Sequence, residues 1–126
     1  MFKKSKSIVL YYQTGKSEEK DRSVKEVYMT QPIYKVFLAR PTEAGYQLPE
    51  KERDEMWAKH DEAVKKAGVK SILICDSSWA SEQFLFWGVE EFPSMEAVLE
   101  FHKTLNEINW FRYFESMTLL GTKMEG

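Results

Sequence analysis

The 126-residue sequence contains one cysteine, Cys75, so no disulfide can close within the chain and no cysteine-rich zinc framework can be built. A reducing compartment, the cytoplasm, is the expected location. A basic excess is missing as well: 18 Lys and Arg stand against 20 Asp and Glu, a net charge of −2. Binding to a phosphate backbone normally needs the opposite balance, so nucleic acid is not an expected partner. No stretch approaches the roughly 20 apolar residues of a membrane span, and no membrane partner is expected. The basic start Lys3, Lys4 and Lys6 leads only into Ile8 to Tyr12, shorter than the roughly 7 to 15 residues of a signal-peptide core. The six glycines are scattered singly, which excludes a phosphate-cradling loop. Ser77 and Ser78 lack the glycine-flanked elbow of a nucleophilic serine. Cys75 has no basic neighbour in sequence and reads as a small core residue. Asp76, Glu90 and Glu91 fall near strand ends without the His, Cys or carboxylate spacing of a metal shell. They read as solvated charges, and neither a metal nor a cofactor is expected.

What the chain does have is apolar and aromatic material, 43% and 14% of its residues, enough for the single core that a chain of this size normally forms. Charge divides it. Residues 1 to 30 hold seven Lys and Arg against four Asp and Glu, and Gly15 to Lys25 is almost wholly polar. A segment that buries so little cannot easily offset its ordering entropy, so residues 1–30 read as an extension, with one added strand at Ile8 to Tyr12. Residues 31–126 read as the domain.

Within that domain, Ile33 to Arg40 has strand composition and is stopped by Pro41. A polar loop through Gly45 and Pro49 leads to Glu50–Glu55, acids gathered where a helix N-terminus favours negative charge. In the helix that follows, Met56, Trp57, His60, Ala63, Val64 and Ala67 fall within an arc of about 120°, one core-facing stripe. Gly68 marks its end. Val69 to Asp76 and Gln83 to Phe92 then read as a hairpin around the turn Ser77 to Glu82. Ser94, after Pro93, is a suitable N-cap for a second helix carrying Met95, Val98, Leu99, Phe101, His102, Leu105 and Ile108. The cluster Trp110, Phe111, Tyr113 and Phe114 reads as a packing plug before a last strand, Ser116 to Thr122.

Strand, helix, strand, strand, helix, strand is the split βαβ order of the α+β, ferredoxin-like plan, a four-stranded antiparallel sheet with both helices on one face. The other face is expected to be polar if it meets water, yet the strands are apolar on both sides. A second copy of the chain is the expected cover, because a monomer tolerates only a limited apolar patch.

Trp87-Gly88-Val89-Glu90-Glu91-Phe92-Pro93-Ser94-Met95-Glu96-Ala97, strand into proline turn into helix, resembles the same junction in the dimeric alpha-beta barrel superfamily. The tail from Asn109 to Gly121 is similar to an uncharacterised bacterial branch of it. The resemblance spans roughly residues 31 to 122. It implies two ferredoxin-like sheets paired into a barrel, in a superfamily of monooxygenases, haem-degrading enzymes, isomerases and members with no known activity. On that basis the chain is expected to be a homodimer holding a small apolar or aromatic molecule in the barrel cavity, with cofactor-independent oxygenase or isomerase chemistry as one outcome, a non-catalytic assembly module as the alternative and a haem-binding protein as the second alternative. His102, Tyr34 and His60 are the candidate proton carriers. Trp87, Tyr34 and Phe86 are the candidate ligand contacts, weighed against plain packing. In the haem-degrading members a second-helix histidine binds iron together with a first-strand asparagine and a tryptophan; His102 lies on the second helix, but Ile33 to Arg40 has no asparagine.

Overall fold

The structure is a computed structural model that describes residues 31–125. The expected extension over residues 1–30, including the strand at Ile8 to Tyr12, lies outside the described residues. β1 (Ile33–Pro41) leads through a short helix α1 (Glu43–Gln47) to the long helix α2 (Glu50–Ala67), followed by β2 (Lys70–Asp76) and β3 (Phe86–Phe92). Helix α3 (Met95–Glu107), one turn α4 (Trp110–Tyr113) and β4 (Phe114–Gly121) complete the chain. The strands form one antiparallel sheet in the order β2-β3-β1-β4, which is the ferredoxin-like plan.

Local chemistry sets most boundaries. Gly68 ends α2 in the left-handed region (φ 69°), its N–H donating to the Lys65 carbonyl, while the Val69 N–H reaches back to that of Val64. The Ser94 hydroxyl accepts the Ala97 N–H at 3.2 Å and starts α3. β3 begins three residues later than its composition suggests. The Ser81 hydroxyl accepts the N–H groups of Gln83 and Phe84, which keeps that stretch in the turn instead of the ladder. The segment read as a polar loop contains α1 because its partners are tertiary. Thr42 accepts the Gly45 N–H and donates to the carbonyl of Arg112, and its backbone N–H donates to that of Tyr113.

Alternation then sorts side chains onto two faces. Ile33, Lys35, Phe37 and Ala39 of β1 point toward the helices, where Ile33 and Phe92 pack with Met56, Ala63, Val98, Phe101 and Leu105 in one core. The helical stripe expected from Met56 to Ala67 is the one that faces it. Tyr34, Val36 and Leu38 lie on the opposite face with Val89, Trp87, Leu73, Met117 and Leu119. Among the described residues that face carries no helix, and Met117 and Leu119 are 62% and 71% exposed. Cys75, read as a core residue, sits on this open face opposite Trp87 and is only half-buried, because the bulge between Ser71 and Leu73 sets the phase of β2.

On the helix side, Thr118, Phe37, Gly88 and Ile74 form one row across all four strands. The Phe37 ring lies over Gly88, where a Cβ would come within 2.7 Å of Phe37 Cζ and 2.8 Å of the Leu73 carbonyl oxygen. Gly88→Ala is therefore expected to cost about 1 to 3 kcal/mol of stability, read as a lower urea midpoint. An unchanged midpoint would mean that Phe37 is not held in place.

Candidate functional site

The row next to Phe37 and Gly88 pairs Lys35 of β1 with Glu90 of β3. Both are buried, on the side of the sheet that faces α3. Lys35 Nζ lies 3.7 Å from Glu90 Oε1 and 3.3 Å from Nε2 of His102, which reaches down from α3. An ammonium can only donate, so His102 accepts through Nε2 and stands as neutral imidazole. Aromatic faces complete the surroundings: Phe101, Phe92 and Phe37 have ring centroids 5.0, 5.5 and 6.0 Å from Nζ, within cation–π range.

Burial governs the ionisation of the cluster. Desolvation, reinforced by the Lys35 charge, lowers the His102 pKa from 6.5 to about 4. Desolvation also lowers Lys35 and raises Glu90, in each case opposed by the attraction between the two. His60, lowered mainly by burial, stacks on Trp110 at 4.4 Å. Its Nδ1 has no hydrogen-bond partner, the Asp61 carboxylate being 3.6 Å away.

These groups line a cavity of about 340 Å³ between the sheet and the helices, a volume suited to a small ligand. Its walls are Phe37, Trp57, Phe86, Trp110 and Phe111, and exposed Ile74, Ser116 and Thr118 stand at its rim. Asn109, in the left-handed region (φ 59°), turns the chain between α3 and α4 and delivers Trp110 into the core against Phe114. The aromatic cluster is thus both plug and cavity wall.

The structure divides the residues that the sequence singles out. His60, His102 and Phe86 meet in this cavity. Tyr34 and Trp87 lie on the open face, where the Tyr34 hydroxyl donates to Glu91 at 2.7 Å and that bond raises its pKa. Glu90, read as a solvated charge, is instead buried, because its register opposite Lys35 turns it toward the helices. Asp76 is exposed as expected and holds the Ser78 N–H and hydroxyl. Lys35 is the residue that sequence reasoning missed. Its signal was phase: a lysine in step with Ile33, Phe37 and Ala39 on the core side of a strand. Among the described residues, no group of three His, Cys, Asp or Glu is placed to hold a metal, and no helix is long and apolar enough to cross a membrane.

Residues 33–125 match the model of a family of unknown function (DUF6616). The chain belongs to this family. No curated protein matches it in sequence. Among solved structures it is similar to a protein of unknown function from Rhodopseudomonas palustris, at 13% identity and a TM-score of 0.57, covering 88% of this chain and 96% of that one. It is also similar to a chlorite dismutase variant from Candidatus Nitrospira defluvii, at 20% identity and a TM-score of 0.61, covering 89% of this chain but only 49% of that one. A dabb family protein with a ferredoxin-like fold from Mesorhizobium loti matches at 11% identity and a TM-score of 0.52, over 75% of this chain and 98% of that one. These likenesses show the ferredoxin-like α+β fold. The residues present do not fit haem, since His102 Nε2 is engaged by Lys35 Nζ at 3.3 Å and stands as no free iron ligand.

A histidine held neutral by the fold is protonated first in the unfolded chain, so His102 contributes fully above the usual 6.5 and its contribution is lost as pH falls toward about 4. His60 acts in the same direction, and Glu90, whose pKa is raised, acts in the opposite one. Urea midpoints are expected to fall between about pH 7 and pH 5, and His102→Gln is expected to flatten that fall. An equally steep fall in the variant would contradict a neutral, buried His102.

Proposed function

We propose that this family member binds a small apolar or aromatic molecule in the cavity between its sheet and helices, with the polar end of that molecule turned to Lys35 and His102. The observation that carries this reading is the convergence of one lysine, one glutamate and two histidines on a mainly apolar, largely aromatic cavity. Such sites combine an apolar body with a few placed polar groups. The resemblance implied the barrel interior, between paired sheets, as the ligand's place; the lining residues favour the helix side instead. Cofactor-independent oxygenase or isomerase chemistry would draw on the same residues, with His102 and His60 as the imidazoles that line the cavity.

The open face supports a second part of the reading, a homodimer. Val36, Leu38, Trp87, Leu73, Met117 and Leu119 form a continuous apolar surface that the described residues leave uncovered, and a second copy presents the same surface in return. The single Cys75 accords with a cytoplasmic setting.

Native mass spectrometry of protein purified without added ligand tests both parts. The expected spectrum is a dimer with mass in excess of two chains. Ser116→Trp, at the cavity rim, is expected to lose the excess mass and keep the subunit number. A monomer would overturn the pairing. A bare wild-type dimer that also fails to take up added aromatic compounds would leave a non-catalytic assembly module as the function.

A further inference from the structure

Lys35 Nζ has three N–H groups and, among the described residues, one partner within hydrogen-bond distance, Nε2 of His102 at 3.3 Å. Glu90, at 3.7 Å, already balances its charge, so an anionic ligand would bring a second negative charge into the same apolar space. A neutral oxygen-bearing group avoids that conflict. We propose that Lys35 is a covalent site, its amine condensing with the carbonyl carbon of a small apolar aldehyde or ketone held in the cavity, with His102 as the proton acceptor. This inference rests on the cavity being the binding site.

The step balances without an added reagent. The Lys35 ammonium passes one proton to His102 Nε2, and the free amine pair forms a C–N bond as the carbonyl π pair moves to oxygen. That oxygen takes the proton back from His102, and the resulting hydroxyl leaves as water with one of the two protons still on the nitrogen, the other staying there. The product is a protonated imine plus one water, with the charge unchanged. Aromatic walls at Phe37, Phe86 and Phe101 exclude water from the product, and burial, which favours the uncharged amine, works in the same direction. The charged and titratable groups facing Nζ are Glu90 from β3 and His102 from α3, while His60 from α2 lines the same cavity.

The full chain is incubated with benzaldehyde and cyanoborohydride at neutral pH, and lysines are mapped by peptide mass spectrometry over time. Lys35 is expected to gain one benzyl group before the exposed Lys51, Lys66 and Lys103, and benzyl alcohol is expected to slow labelling at Lys35 alone. Lys35→Met should lose the early label. His102→Gln should slow labelling of Lys35 even at saturating benzaldehyde, a loss of rate separate from the loss of affinity that a merely structural role would produce. Labelling of the exposed lysines first, with Lys35 unmodified, overturns the proposal. If benzyl alcohol nevertheless raises the thermal unfolding midpoint, the cavity reading survives; if it does not, both fail.

Discussion

A lysine ammonium held between a β-sheet and the helix packed on it is the constraint around which this domain is arranged. Removing such a charge from water costs several kcal/mol even after relaxation, and attraction to one carboxylate offsets that only with good geometry. The geometry here is spread over several partners: Glu90 at 3.7 Å, His102 at 3.3 Å and three phenylalanine faces. An apolar side chain at position 35 would be buried at less cost. The cluster is therefore better understood as a site that the fold accommodates than as a device that stabilises it.

The sheet separates two chemistries across a single layer. Neighbouring residues diverge by alternation: Lys35 and Glu90 face the cavity, while Tyr34 and Glu91 pair on the open face. Gly88 lets the Phe37 ring approach the β3 backbone closely, and the extra residue near Ile72 sets which β2 side chains face which side. A slip of one residue in β1 would exchange the cavity's polar groups for those of the open face.

Much of the fold was legible in the sequence because its signals are local. Gly68 and Ser94 bound helices by backbone chemistry, Pro41 and Pro93 lie where strands end, and the stripe from Met56 to Ala67 has helical period. α1 was illegible because Thr42 finds its partners at Arg112 and Tyr113, some seventy residues away in the chain. The site was legible by half. His60 and His102 stood out by residue type and Phe86 by its strand, but Lys35 and Glu90 acquire meaning only from their cross-strand register. Tyr34 and Trp87 have the residue types of a binding site, and the face each occupies depends on a phase that sequence alone left open.

The central claim is that ligands enter between sheet and helices. Backbone amide chemical shifts recorded while benzyl alcohol is titrated into the protein test it most directly, since this compound cannot react with an amine. Saturable shifts at Lys35, Phe37, Phe86 and His102 are the predicted result. Shifts confined to Leu38, Trp87 and Leu119 would place binding on the open face and contradict the account.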